Sequence, residues 1–411
     1  MWKFIGMETL PIFTAAGMAA ASVCAAALIA FYPPPETFGK LIPVNNPWVK
    51  DGKFAASVCN GIQCGLCPFK CFLPEGARGR CKVRINHGGR IKTLVYAKPA
   101  SVHLDPIEKK PVYHMLPGSL IYSLAAPGCN LKCKMCQNWE ISQIYPEQAA
   151  HTSLVPESLT LKVEGSTGRV YGELKHKEAV TLEPREIVSY ALATHARSVA
   201  YTYSEPVVFY EYMYDTARLA RAKGLKNVMV SAGYINREPL EELLKYMDVV
   251  KIDLKGFDES FYGDYVGGKL EPVKETLLTL KKSGALFEVV NLMVPGLNDG
   301  KESLKNMIAW AKKELGPDVP LFFSRFSPNY QLANIGATPA ETLTRARDEA
   351  LKQGLRYVYV GNVSGHPGES TYCPKCGKVL VRRYGYAILE NQLTPSGGKC
   401  PYDGTKIPGI W

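Results

Sequence analysis

The chain has 411 residues, of which 46% are hydrophobic and 21% are charged. These fractions are typical of folded globular proteins, and they exclude a disordered chain, a collagen-like repeat and a polytopic membrane protein. The net charge of +11 favours anionic neighbours such as membrane headgroups, acidic proteins or phosphorylated ligands. The 12 cysteines are more informative, because all but Cys24 and Cys59 fall into three groups. Such grouping indicates metal binding rather than disulfides.

The first region in chain order is an uncharged, Ala-rich segment, Leu10–Tyr32, which three prolines follow. At ~1.5 Å per residue a helix of this length could cross a bilayer, so we predict a membrane anchor over residues 1–35. A cleaved signal peptide and a buried core helix are the alternatives. Lysines on the C-terminal flank outnumber Lys3, which by the positive-inside rule places the rest of the chain in the cytoplasm. We therefore expect a single-pass membrane protein with a cytoplasmic body, where thiolates stay reduced.

The second region, residues 36–117, carries the first cysteine group: Cys64, Cys67, Cys71 and Cys81. Four thiolates are enough for a closed metal site. Their spacing fits both an iron–sulfur cluster, which would serve as an electron relay, and a structural zinc knuckle. Cys59 lies just outside this group.

From residue 118 to residue 365 short apolar runs alternate with stretches of helical periodicity. We predict parallel strands joined by helices, forming a full or partial barrel or an open doubly wound sheet. The predicted strands are Leu120–Ala126, Val199–Tyr203, Asn227–Ser231, Val249–Leu254, Phe287–Val294, Leu321–Phe326 and Tyr357–Val360. Residues 151–182 interrupt this pattern with two alternating runs, which predict an inserted β-hairpin acting as a surface decoration or a lid.

Polar residues follow several of these strands at the point where each strand ends. Ligands bind at the carboxyl ends of parallel strands, so these residues predict a lined site. They are Ser204, Glu205, Ser231, Gly233, Asp253, Lys255 and the run Pro295–Asp299.

The central cysteine group, Cys129, Cys133 and Cys136, follows the first of these strands directly. Three thiolates on one loop can hold three irons of a [4Fe–4S] cube and leave the fourth iron open to a chelating ligand. Structural zinc usually takes four ligands, and the loop contains no fourth Cys or His. The spacing therefore favours an open iron–sulfur cluster.

From residue 64 to residue 411 the chain resembles radical S-adenosylmethionine (radical SAM) enzymes, in particular those of the AmmeMemoRadiSam system, which are related to pyruvate formate-lyase-activating enzymes. The resemblance rests on GCNLKCKMCQNWEISQ, YTYSEP, DLKGF, VPGLND and GNVSGHPGESTYCPKCG. It implies a partial (β/α)6 barrel and a [4Fe–4S] cluster on Cys129, Cys133 and Cys136. It also implies reductive cleavage of SAM to methionine and a 5′-deoxyadenosyl radical, with an electron donor such as flavodoxin or ferredoxin.

The resemblance also assigns roles to individual residues. Ser204 and Glu205 fall where the superfamily grips the amino group of SAM, and Glu205 is the candidate for that contact. Ser231 and Gly233 correspond to the next strand end of relatives, and Asp253 with Lys255 to a polar pair near the SAM ribose or carboxylate. Met135 replaces the usual aromatic residue beside the last cluster cysteine, and its polarisable sulfur could contact adenine.

The third cysteine group lies in residues 366–411 and consists of Cys373, Cys376 and Cys400, with Asp403 at the fourth position. This pattern resembles a zinc ribbon or a rubredoxin-like module, so zinc or iron is the expected metal. With Asp403 in place of a fourth cysteine, the site could bind zinc through an oxygen ligand, bind it more weakly or have lost its metal, and we favour bound zinc. No basic recognition helix follows it, so a nucleic acid is not an expected partner.

The leading hypothesis from the sequence is a membrane-anchored radical SAM enzyme that abstracts hydrogen from an unknown substrate, either a protein or a small molecule. One alternative is an activating enzyme for a glycyl-radical enzyme. The other is a non-catalytic electron-transfer module of a membrane assembly. Glu205, Asp253 and Lys255 argue against that last alternative, because electron transfer alone needs no SAM site.

Overall fold

The computed structural model describes residues 46–149 and 181–411, together with the backbone of two short strands between them. Residues 46–93 form six short strands. They are β1 (Lys50–Asp51), β2 (Ala55–Val58), β3 (Gly61–Cys64), β4 (Phe72–Pro74), β5 (Arg84–His87) and β6 (Arg90–Thr93). They pair antiparallel in two three-stranded sheets, with the orders β1–β6–β5 and β2–β3–β4. This region carries the first cysteine group.

The central sheet follows. Its first strands are β7 (Ser101–Pro106) and β8 (Leu120–Ala125), after which the hairpin β9 (Lys162–Glu164) and β10 (Arg169–Tyr171) precedes the rest of the sheet. The remaining strands are β11 (Ser198–Tyr201), β12 (Lys226–Ser231), β13 (Val249–Asp253), β14 (Leu286–Met293), β15 (Leu321–Arg325) and β16 (Val358–Gly361). The strand order is β16–β15–β14–β13–β12–β11–β8–β7.

Strands β8 and β11 to β16 run parallel, while β7 pairs antiparallel with β8. The order has two ends, so the sheet is open, in agreement with a partial barrel of parallel strands. All seven predicted strands are present, within two residues at each end. They were predictable because a parallel sheet covered on both faces needs almost continuous apolar runs, and β11 and β16 are buried along their whole length.

The helices lie between these strands. They are α1 (Trp139–Ser142), α2 (Pro184–Ala193), α3 (Tyr210–Ala222), α4 (Arg237–Leu244), α5 (Glu259–Phe261), α6 (Leu270–Ser283), α7 (Lys301–Trp310) and α8 (Ala340–Lys352). Local residues define the N-terminus of α2: the helix begins with a proline, and the Glu186 side chain accepts a hydrogen bond from the Glu183 backbone N–H. A π-helical turn, Tyr262–Val266, follows α5 and contacts the central cysteine loop.

One hydrophobic core joins the N-terminal sheets to the barrel. It includes Ile62, Leu66 and Val83 from the N-terminal region together with Val207 and Val208 from the barrel. The first two cysteine groups therefore belong to a single packed body, which fixes their relative position.

The C-terminal strands β17 (Thr371–Tyr372), β18 (Val379–Tyr384) and β19 (Ala387–Asn391) form a small antiparallel sheet. Arg383 of β18 is 3% exposed; its guanidinium donates to the Tyr113 carbonyl oxygen at 3.1 Å and to Thr371 Oγ1 at 2.8 Å. This arginine anchors the C-terminal module to the segment that precedes β8.

The predicted inserted hairpin is present, since β9 and β10 pair antiparallel. The rest of the insertion lies outside the described residues.

The predicted localisation requires correction. Within residues 46–149 and 181–411, no helix is both long and apolar enough to cross a bilayer, and Leu10–Tyr32 lies outside those ranges. The prediction of a single-pass membrane protein with a cytoplasmic body is corrected accordingly.

Candidate active site

The central cysteine loop leaves the carboxyl end of β8 and is held by backbone hydrogen bonds on both sides. The backbone N–H groups of Lys132 and Lys134 donate to the carbonyl oxygens of Val266 and Tyr265, at 2.9 and 2.8 Å. The Gly128 N–H donates to the Ile141 carbonyl oxygen at 2.9 Å. These bonds fix the loop before any metal binds, as a preorganised ligand loop requires.

The three thiols of this loop lie near charged groups. Burial raises the pKa of Cys133 to about 12, while the neighbouring Lys255 ammonium acts in the opposite direction. Burial also raises the pKa of Cys129 well above its usual range, and the nearby Glu205 carboxylate adds to that shift. A direct contact joins the loop to the end of β11, which carries Glu205: Asn138 Nδ2 donates to the Tyr203 carbonyl oxygen at 2.9 Å.

Glu205 links the ends of two neighbouring strands. Its Oε1 atom accepts from the Ser231 hydroxyl at 2.6 Å and from the Val207 N–H at 3.2 Å, while Oε2 accepts from the Ala232 N–H at 2.9 Å. The residue is 4% exposed, and burial raises its pKa. A carboxylate has about four acceptor positions, so Oε2 can accept one more donor.

The bond from Val207 means that Glu205 also caps the turn Pro206–Phe209. A structural role therefore exists beside the predicted contact with SAM.

Asp253 lies between two lysines at the end of β13. Its Oδ2 atom is 2.7 Å from the Lys255 ammonium, and Oδ1 pairs with Lys251. Burial acts to raise the pKa of Asp253, but the two ammonium groups outweigh it and hold that pKa well below its usual range. The triad is therefore charged, with one excess positive charge near the cysteine loop.

Ser204, Gly233 and Met135 have different surroundings. The Ser204 hydroxyl donates to the Ala126 carbonyl oxygen at 2.6 Å, so it joins β8 to the end of β11. Gly233 has a φ of 72°, and its N–H donates to Ser231 Oγ at 2.9 Å. Met135 is 5% exposed and belongs to the main hydrophobic core.

Lys251, a buried residue near the site, was not predicted from the sequence, whereas Asn298 belongs to the predicted run Pro295–Asp299. Lys251, Asp253 and Lys255 are spaced two residues apart, which in a strand places side chains on the same face. This spacing could have identified Lys251 as a site residue from the sequence. Asn298 donates through Nδ2 to the carbonyl oxygens of Lys255 and Leu292, at 2.6 and 2.8 Å. It thereby ties the ends of β13 and β14 together, and only the fold shows this contact.

The interior of the barrel contains a further buried polar cluster. Asp105 of β7 pairs with Lys110 at 2.6 Å and accepts from the Tyr203 hydroxyl. The Lys110 ammonium lies 3.9 Å from the centre of the Tyr203 ring. Burial lowers the pKa of Lys110 to about 8, although the Asp105 carboxylate acts to raise it. Because Tyr203 directly precedes Ser204 in the chain, this cluster adjoins the end of β11.

The C-terminal group forms a second candidate centre. Cys376 Sγ is 3.7 Å from Cys400 Sγ, and Cys373 Sγ is 3.4 Å from an Asp403 carboxylate oxygen. A tetrahedral zinc ion with Zn–S bonds of about 2.3 Å places two sulfurs ~3.8 Å apart, so these positions match a single zinc ion. Over residues 46–149 and 181–411, this is the only Cys, His, Asp and Glu group that brings three or more ligand atoms within 4.8 Å of one another.

The N-terminal cysteines have a different arrangement. Cys64, Cys67, Cys71 and Cys81 line one cavity, together with residues of the barrel such as Asn130 and Val207. Cys59, which the sequence places outside the group, is in a disulfide bond.

Comparison with known proteins identifies the same region. Residues 124–311 match the family model described as the radical SAM superfamily. An uncharacterized protein of Methanocaldococcus jannaschii is 41% identical over 85% of this chain and 95% of its own length. The pyruvate formate-lyase-activating enzyme of Clostridium pasteurianum is 26% identical over 35% of this chain and 64% of its own length. The benzylsuccinate synthase activating enzyme of Thauera aromatica is 22% identical over 58% of this chain and 86% of its own length.

Proposed function

Because this chain belongs to the radical SAM superfamily, we propose that Cys129, Cys133 and Cys136 hold a [4Fe–4S] cluster at which SAM is reductively cleaved. The family implies both the cluster and SAM. Bound there, the cluster and SAM would supply radical chemistry for hydrogen abstraction once an external donor provides one electron. The chain itself supplies the thiolates, orients SAM and excludes water.

The residues around the loop fit these two groups. Three thiols on one preorganised loop leave one iron of a cube without a protein ligand. The free acceptor position of Glu205 suits the ammonium group of SAM, and the excess positive charge of the Lys251, Asp253 and Lys255 triad suits the SAM carboxylate. The observation that carries this proposal is that the cysteine loop is hydrogen-bonded to the strand end that carries Glu205, through Asn138 Nδ2 and the Tyr203 carbonyl oxygen at 2.9 Å.

The test is formation of 5′-deoxyadenosine by anaerobically reconstituted protein supplied with SAM and dithionite. Cys133→Ala leaves two loop thiols and should abolish this product. Cys376→Ala, which removes a thiol of the C-terminal group, is the matched control and should retain it. Parent-like product formation by Cys133→Ala would contradict the assignment of the cluster. Absence of product from the parent protein under conditions that restore its iron would favour an electron-transfer module instead.

We further propose that the substrate is a protein. Two of the relatives are activating enzymes by name, one for pyruvate formate-lyase and the other for benzylsuccinate synthase. The reducing electron would come from a small donor protein such as flavodoxin or ferredoxin. Transfer of deuterium from a labelled candidate protein into 5′-deoxyadenosine would identify the substrate. Labelled protein that gives unlabelled product would exclude that candidate.

The C-terminal module is proposed to hold a structural zinc ion on Cys373, Cys376, Cys400 and Asp403. The sulfur–sulfur and sulfur–oxygen distances support zinc over a larger cluster. Arg383 anchors this module to the segment that precedes β8, and the proposed ion stabilises the module rather than taking part in the SAM chemistry.

A further inference from the structure

The N-terminal cysteines surround a cavity that the proposed SAM chemistry does not use. Cys64, Cys67, Cys71 and Cys81 all line it, and most of the other lining side chains are apolar, including Leu66, Leu73 and Phe69. The cavity itself is small, with a volume of about 20 Å³. Four thiols that converge on one apolar cavity indicate a common ligand rather than four separate packing positions.

The geometry of these thiols does not match a single zinc ion. A tetrahedral zinc site needs all of its sulfurs ~3.8 Å apart, yet no three of these four sulfur atoms lie within 4.8 Å of one another. The C-terminal group of the same chain does meet that limit. A [4Fe–4S] cube places each thiolate on a different iron, which requires wider spacing around a central volume.

The charge of the surroundings fits an anionic cluster. Arg84 is 1% exposed, and its guanidinium donates to Cys64 Sγ at 3.5 Å and to the Lys53 carbonyl oxygen at 3.0 Å. Glu211 forms a buried ion pair with the same guanidinium. An N–H donor directed at the Cys64 sulfur suits a metal-bound thiolate, because such a sulfur accepts hydrogen bonds from its surroundings.

The cavity also adjoins the central cysteine loop. Asn130, which follows Cys129 in the chain, lines it. Gly128 packs against the N-terminal loop so closely that a Cβ atom there would lie 3.0 Å from the Cys81 carbonyl oxygen. Arg80 reaches across from the N-terminal loop and donates to the Gly267 carbonyl oxygen at 2.9 Å. The two cysteine loops are therefore in direct contact.

From these observations we infer that Cys64, Cys67, Cys71 and Cys81 bind a second, fully thiolate-ligated [4Fe–4S] cluster beside the central loop. This site is independent of SAM, since all four ligands come from the chain and no iron is left open.

The decisive protein is the full chain with Cys129, Cys133 and Cys136 all changed to Ala, reconstituted anaerobically with iron and sulfide. We expect it to retain about four irons and about four sulfides per chain, and to give the electron paramagnetic resonance signal of a reduced cube. Retention of about two irons, or of zinc in their place, would overturn the assignment. So would complete loss of iron from a variant whose circular dichroism spectrum matches that of the parent.

A reciprocal variant keeps the test valid if the triple variant does not fold. In the otherwise intact chain, Cys64→Ala with Cys81→Ala should lower the iron content from about eight to about four per chain. The matched control, Cys376→Ala, should lose zinc and keep its full iron content. Unchanged iron in the reciprocal variant would overturn the inference. Metal counts do not depend on SAM cleavage, so they decide this point even if the proposed enzymatic function fails.

Discussion

The Ser231 hydroxyl donates to Glu205 Oε1 at 2.6 Å, which joins the carboxyl ends of β11 and β12 through one buried carboxylate. The Ala232 N–H donates to the other oxygen of the same carboxylate. These bonds fix the orientation of Glu205, so its remaining acceptor position points in a defined direction. The pair is therefore suited to orienting a bound ammonium group.

Glu205→Gln tests that role. The substitution keeps the shape of the side chain but removes a charge-assisted hydrogen bond, which is typically ~1.5–3 kcal/mol, so SAM affinity should fall roughly 10- to 100-fold. Calorimetric titration of SAM into the reconstituted protein measures this, with iron content determined on the same sample. Ser231→Ala is the control, because it removes one neutral donor and should reduce affinity less. Unchanged affinity in Glu205→Gln would leave this residue with a capping role alone.

Gly128→Ala tests the contact between the two cysteine loops. Gly128 has a φ of 100°, and an added Cβ would lie 2.6 Å from Val83 Cγ1 and 3.0 Å from the Cys81 carbonyl oxygen. We expect a loss of stability of about 1–3 kcal/mol from backbone strain, with more from the close contact. The control is Gly263→Ala, where nothing lies within 4 Å of the added atom. Thermal unfolding gives the Tm of both variants, and we expect the Tm of Gly128→Ala to be the lower one. An equal Tm for the two variants would contradict the close contact of Gly128 with the N-terminal loop.

Asp403 should determine the zinc affinity of the C-terminal group. Asp403→Ala removes one of four ligands, so zinc should be lost to a chelator at lower concentrations than in the parent. Asp403→Cys restores a four-thiolate set and should hold zinc at least as tightly as the parent. Competition with a zinc-binding dye gives the order of affinities. Identical affinity in the Ala and parent proteins would remove Asp403 from the ligand set.

His114 should make stability depend on pH. Burial lowers the pKa of His114 to about 4 from an ordinary value of 6.5, although the Pro408 carbonyl oxygen acts to raise it. The unfolded chain therefore binds a proton below pH 6.5 that the folded chain does not, and stability falls as the pH drops from 6.5 towards 4. At pH 5.5 this amounts to about 1.4 kcal/mol.

The corresponding measurement compares denaturant unfolding of the parent and His114→Gln at pH 7.5 and pH 5.5 under anaerobic conditions. The difference in unfolding free energy between the two pH values should be smaller in His114→Gln by about that amount. An equal pH dependence in both proteins would mean that His114 does not remain neutral when folded.

The local sequence determined the parallel strands and the three cysteine groups. Buried parallel strands require continuous apolar runs, and β11 to β16 carry them, so their positions can be read from a few consecutive residues. Ligand spacing within Cys129–Cys136 is also local, because a single loop supplies all three thiols. Asp253 and Lys255 were found in the same way, as polar residues that end a strand.

Only the tertiary structure decided which distant residues meet. Nothing near Asn298 in the chain shows that it bonds to the carbonyl oxygen of Lys255, and nothing near Arg383 shows that it contacts Tyr113. The contact of Gly128 with Cys81, which places the N-terminal cysteine cavity beside the central loop, likewise joins segments far apart in sequence. Such contacts depend on how whole helices and strands pack. The residues next to a side chain in the sequence are the same whichever partner that packing brings to it, so they do not identify the partner.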